Sequence, residues 1–87
     1  DYEKELLVWK DSGLEKVKEI LEKLLALKEL NKENIMSLCE TFGNGLVLWP
    51  LRVALSGSKA SPGPFEILEV LGEGEARNRL QIAYNKI

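Results

Sequence analysis

Gly13-Leu14-Glu15-Lys16-Val17-Lys18-Glu19-Ile20-Leu21-Glu22-Lys23-Leu24-Leu25-Ala26-Leu27-Lys28 is the stretch on which the fold turns. Leu14, Val17, Leu21, Leu24 and Leu25 recur at helical spacing, and Ile20 and Leu27 widen the stripe. A period of 3.6 residues puts these side chains on one face of a helix, with the charged residues opposite. The pattern predicts a helix from about Gly13 to Leu30, with Asp11 or Ser12 as its N-cap. Upstream, Tyr2 to Trp9 reads as a short apolar-rich helix. Downstream, Asn31 caps a third helix carrying Ile35, Leu38, Cys39 and Phe42, which stops at Gly43. Asn44-Gly45 reads as a turn, and Pro50 as the first-turn residue of a helix ending at Gly57. Ser58 to Pro64 is a loop. Phe65 to Leu71 is a helix stopped by Gly72, and a last helix runs from about Gly74 to Lys86. No stretch alternates as a strand would, and nothing repeats. The expected fold is all-α: a compact orthogonal bundle of about five to six short helices, in a single domain spanning residues 1–87.

Composition narrows the function. The 87 residues suffice for one modest core, and 45 % apolar with 30 % charged residues favours folding over disorder. The longest apolar stretch, Leu46 to Leu51, is too short to cross a bilayer, so no membrane role is expected. Asp1, rather than Met, at the start suggests a piece of a longer protein. The lone cysteine, Cys39, reads as a buried thiol in a cytoplasmic protein. With one cysteine and no histidine, the usual zinc-ligand sets and nucleophile–base pairs are missing. The carboxylates are spread along helix faces, so the chain itself is expected to be non-catalytic and to hold no cofactor. Net charge is −2, which argues against general affinity for nucleic acid. The charge is uneven, however. Residues 1–45 carry 7 lysines against 10 acids, whereas residues 46–87 carry 5 basic residues against 4 acids and include all three arginines, Arg52, Arg77 and Arg79. A bound polyanion would be expected there.

Two stretches exceed what a generic helical bundle needs: Leu48-Trp49-Pro50-Leu51-Arg52-Val53-Ala54-Leu55-Ser56-Gly57, and Ser61-Pro62-Gly63-Pro64-Phe65-Glu66-Ile67-Leu68-Glu69-Val70-Leu71-Gly72. In this order, and followed by Arg79-Leu80, they resemble the C-terminal anticodon-binding domain of bacterial-type glutamyl-tRNA synthetases. The resemblance is dense from Gly45 to Ala83 and weaker before it. It implies a parent enzyme that joins glutamate to its tRNA using ATP and Mg²⁺, whose catalytic domain lies elsewhere in the same chain. The family is usually monomeric. The resemblance also implies that this lobe holds the first two anticodon letters, with Arg52, Ser61, Pro62, Pro64 and Phe65 at the contacting positions. Pro64 departs from the aliphatic residue common there.

Those residues suit the task. Splayed bases are recognised by stacking on flat side chains and by hydrogen bonds to their edges. Arg52 has a planar fork of donors; from the residues alone it could equally pair with Glu66 or Glu69. Pro62 and Pro64 stiffen their loop and leave the N–H groups of Gly63, Phe65 and Glu66 near a helix start. Phe65 offers either a face to a base or an anchor in the core. Trp9 and Trp49 lie in apolar runs and read as core rather than as stacking platforms. Arg77 and Arg79 point about 200° apart on one helix and cannot share a phosphate track; Arg79 reads as a structural ion pair, and Arg77 stays open. The alternative from another class is a helical protein–protein interaction module with no RNA role.

Overall fold

A computed structural model describes residues 2–10, 12–58 and 62–87. Among them, four α-helices follow a single 3-10 turn, Lys4–Leu7: α1 (Gly13–Ala26), α2 (Lys32–Phe42), α3 (Asn44–Ser56) and α4 (Pro64–Lys86). The class is all-α as expected, but with four α-helices rather than five or six. The first expected helix shrinks to the 3-10 turn because Val8 is already extended, with φ −77° and ψ 130°. The turn is held instead from outside, by the Trp49 indole N–H donating to Leu6 O at 2.9 Å. So short a segment gains too few internal bonds to form an α-helix unaided.

α1 stops at Ala26, four residues before the predicted end, and Leu27 is extended with ψ 134°. The physical reason lies in α4. Arg77 donates to Leu25 O at 3.1 Å, Leu27 O at 2.6 Å and Lys28 O at 3.2 Å. This takes up carbonyls that a helix end leaves orphaned. At the other end Ser12 occupies the N-cap without making a capping bond, and its buried hydroxyl has no partner among the described residues. Asp11 lies outside the described residues. α2 begins as read: the Asn31 side chain accepts from Asn34 N–H at 2.9 Å.

The largest correction falls at residues 43–50. Asn44-Gly45 is not a turn, and Pro50 is not in a first helical turn. Gly43, with φ 96°, closes α2 through its N–H to Cys39 O at 2.7 Å and opens α3 through its carbonyl, which accepts from Val47 N–H at 3.3 Å. One residue therefore makes the whole corner, and φ in that range is why it is glycine. Pro50 stands inside α3, where it removes the N–H that would bond Leu46 O. Burial offsets that loss. Val47, Pro50, Leu51, Val53, Ala54 and Leu55 are all buried, because α3 packs against α1, α2, α4 and the 3-10 turn. A helix enclosed on so many sides carries apolar residues all round, and its amphipathic period is lost. Gly72, with φ 81° and ψ 163°, breaks the helical dihedrals inside α4 where the sequence placed a stop. The helical run nevertheless resumes at once.

The core gathers Leu7, Val17, Ile20, Leu21, Leu24, Ile35, Leu51, Leu55 and Leu80, each with no exposed surface. It holds no polar or charged residue among those described. No helix among the described residues is long and apolar enough to cross a membrane.

Candidate nucleic-acid interface

Starting α3 at Asn44 creates a face that a start at Pro50 hides. Gly45, Leu48, Trp49 and Arg52 fall at i, i+3, i+4 and i+7, one stripe along the helix. With Trp9, Asn44 and Pro64 they line an open groove of about 220 Å³. Trp9 reaches it because Gly45 has no side chain: a methyl built there would overlap Cε2 and Cζ2 of the indole and lie 2.6 Å from Cη2. Trp49 is fixed by its bond to Leu6 O. Both indoles are half-buried, so each keeps surface at the groove instead of disappearing into the core. Among the described residues, Arg52 is the only charged one of the lining.

The three arginines separate clearly. Arg77 is tied to three carbonyls at and just beyond the end of α1 and to Glu73 Oε2 at 2.9 Å. Arg79 donates to Leu55 O at 2.6 Å, near the end of α3, and to Glu75 Oε2 at 2.9 Å. Both are structural, and they serve two different helix ends. Arg52 is half-buried and has no ion pair or hydrogen bond from its guanidinium among the described residues, either to Glu66 and Glu69 or to any other group. Its stem is held by packing while its fork of donors is unspent.

The remaining expected site residues divide. Pro64 is buried as the first residue of α4 and reaches the groove. Pro62 is exposed. Ser61 lies outside the described residues. The Glu66 N–H, expected to be available to a ligand, is turned back onto Gly63 O at 3.1 Å. Nothing lies within 4 Å of where a Gly63 side chain would begin, so that backbone is open to close approach. Phe65 lines a different groove, with Leu30, Asn31, Lys32 and Leu68, and Lys32 Nζ stands 5.4 Å from its ring centroid. Arg52 and Pro64 are thus brought together, and Phe65 is turned aside. Trp9 and Trp49 were read as core, and Leu48 was given no role of its own. The i, i+3, i+4, i+7 spacing that ends at Arg52 was the signal that could have found Leu48 and Trp49, whereas only the tertiary fold brings Trp9 to the groove.

A groove of flat apolar walls with, among the described residues, one free guanidinium and no acidic lining suits an unpaired, anionic, aromatic ligand. The chain matches the family described as anticodon binding domain over residues 1–84, and it belongs to that family. It is similar to curated glutamate–tRNA ligases: 38 % identical over 84 residues to that of Clostridium botulinum, 36 % over 84 residues to that of Clostridium kluyveri, and 38 % over 84 residues to that of Clostridium tetani. Each comparison covers 88 % of this chain and 17 % of the relative, so the chain spans about a sixth of the length of these proteins. No solved structure matches it significantly. Among the described residues, no group of three or more His, Cys, Asp or Glu side chains could hold a metal ion.

Proposed function

We propose that this chain is the distal anticodon-binding domain of a glutamate–tRNA ligase, and that it reads the first two anticodon letters. Arg52 and Pro64 act from the groove, and Ser61 and Pro62 extend the contact along the adjoining segment; Phe65, which lines a separate groove, would meet a different part of the RNA. The observation that carries this reading is the contrast among the arginines: two are consumed by the fold, and the third stands unpartnered in a groove walled by two indoles. A guanidinium in that setting can stack on a base or donate to pyrimidine O2. ATP and Mg²⁺ chemistry belongs, on this reading, to the portion of the ligase outside this chain, and the domain works as a monomeric, cytoplasmic unit.

The test is an amide-shift titration of the 87-residue chain at low salt with an anticodon stem-loop RNA. A control stem-loop has both leading anticodon letters changed to purines. Shifts gathered on residues 44–52 and 61–65, weaker with the control and lost in Arg52→Ala, are the expected result. Equal shifts for the two RNAs would place the discrimination elsewhere in the ligase. No shifts with either would favour the protein–protein alternative.

A further inference from the structure

Lys10 is the one non-glycine residue with positive φ among those described, at 54°. Left-handed backbone is disfavoured for any residue with a Cβ, and lysine lacks the short polar side chain that eases it for Asn or Asp. Such a conformation persists only where its surroundings hold it. Its ammonium stands 4.6 Å from the centroid of the Trp9 ring. Trp9 is a wall of the groove that carries Arg52, and its six-membered ring also packs on Gly45. Lys10 has no carboxylate partner among the described residues. Among the described residues the indole is therefore the one partner of its ammonium, and the lysine itself is exposed.

Charge makes this placement notable. In a chain of net charge −2, a groove for a polyanion needs local cations, and among the described residues this lining has Arg52 alone. Lys10 supplies a second positive charge at its edge, contributed by a separate segment. An indole face accepts either a cation or a base.

We propose that Trp9 and Lys10 form a second grip on the RNA. A nucleobase replaces the ammonium on the indole, and the released ammonium moves onto a neighbouring phosphate. The proposal rests on the RNA reading of the groove and adds to it a nucleotide contact from the N-terminal segment. The exchange keeps the indole covered in both states and converts a cation–π contact into a charge pair with the ligand.

The experiment follows side-chain signals of the labelled 87-residue chain as the pyrimidine-bearing stem-loop is added. Free, the Lys10 methylene protons next to the ammonium are expected upfield, within the ring current of Trp9. On binding they are expected to return toward the position of an ordinary exposed lysine, together with movement of the Trp9 indole N–H and the Arg52 Nε–H. Lys10→Gln is expected to reduce the slope of log K against log salt by about 0.7, one phosphate contact on a single strand. If Arg52 moves while Lys10 stays upfield and the slope is unchanged, this proposal is overturned and the anticodon reading stands. If none of the three moves, both are overturned.

Discussion

Replacing Arg52, Arg77 and Arg79 one at a time by methionine keeps an unbranched apolar stem and removes the charged head. At Arg77 the head serves three carbonyls at 2.6–3.2 Å. A hydrogen bond from a charged donor contributes about 1.5–3 kcal/mol where water cannot replace it. The side chain is 27 % exposed, so water recovers part of that. The favourable charge at a helix C-terminus adds about 0.3–1 kcal/mol, and the half-exposed pair with Glu73 adds at most about 0.5 kcal/mol. Arg77→Met is therefore expected to cost about 2–3 kcal/mol, which lowers Tm by roughly 10–20 °C in a domain of this size. Arg79 holds one carbonyl and is 38 % exposed, so its loss should cost about half as much. Arg52 holds nothing internal, and its replacement should stay within about 0.5 kcal/mol. For RNA the order reverses. Arg52→Met is expected to lose about 1–3 kcal/mol of binding, roughly five- to 150-fold, while Arg77→Met binds as the parent does at temperatures where both are folded. Circular-dichroism melts and an RNA titration well below the lowest Tm read the two axes. If Arg52→Met melts as early as Arg77→Met, or if Arg77→Met binds RNA as weakly as Arg52→Met, the separation of structural from ligand-facing arginines is refuted.

Two further predictions follow from packing and from protons. Gly45→Ala drives a methyl into the Trp9 ring and should cost about 1–3 kcal/mol by overpacking, with a shift in indole emission. Gly74→Ala, with nothing within 4 Å of the new methyl and a place in the first turn after the break at Gly72, should instead stabilise by up to about 0.5 kcal/mol, less than in mid-helix; paired urea melts give both signs. Three protonated groups bind their protons more tightly in the fold: Tyr84 through its hydrogen bond to Glu22 and then burial, Tyr2 through burial opposed by Lys86, and Cys39 through burial. Folded pKa values raised above the unfolded ones give stability that is present below the ordinary thiol and phenol range and lost as pH rises through it. The urea midpoint should thus fall from about pH 9 upward, less steeply in Tyr84→Phe, and a midpoint that rises there would contradict the assignment.

What the sequence reveals depends on whether an element's period survives its burial. α1 was legible because it is buried on one face: Val17, Ile20, Leu21 and Leu24 point inward and the charged residues outward. Asn31 and Gly43 were legible because a cap is local chemistry. The end of α1 was not, since Arg77 lies some fifty residues beyond the carbonyls it takes. The start of α3 was not, since central burial erased its amphipathic period and left Asn-Gly and Pro as the strongest local signals. That one misplacement concealed most of the groove. With the helix begun at Pro50, Arg52 stood alone; with it begun at Asn44, Arg52 ends a stripe that includes a tryptophan.

The same accounting explains how an acidic chain can carry an RNA site. Net charge governs long-range attraction, and here it gives none. Local chemistry depends instead on which charged groups the fold leaves unspent. α4 carries two arginines, and the ends of the two helices beside it absorb both; each also has a glutamate four residues before it on its own helix. α3 has no acidic residue anywhere along its length, so Arg52 has no carboxylate on its own helix to fold back onto. Pro64, which opens α4 at the groove, brings an apolar ring there and no charge. The absence of acids from α3 is therefore as much a part of the site as the arginine itself. Introducing one at Leu48, one turn before Arg52, would be expected to supply that missing partner and silence the groove. Because Leu48 is half-buried and packs against the core, the change would also cost stability, and Leu48→Gln matches that cost without the charge. RNA affinity lost in Leu48→Glu but kept in Leu48→Gln, both titrated well below their melting temperatures, would support this account; affinity kept in both would show that an unspent guanidinium is not what the groove contributes.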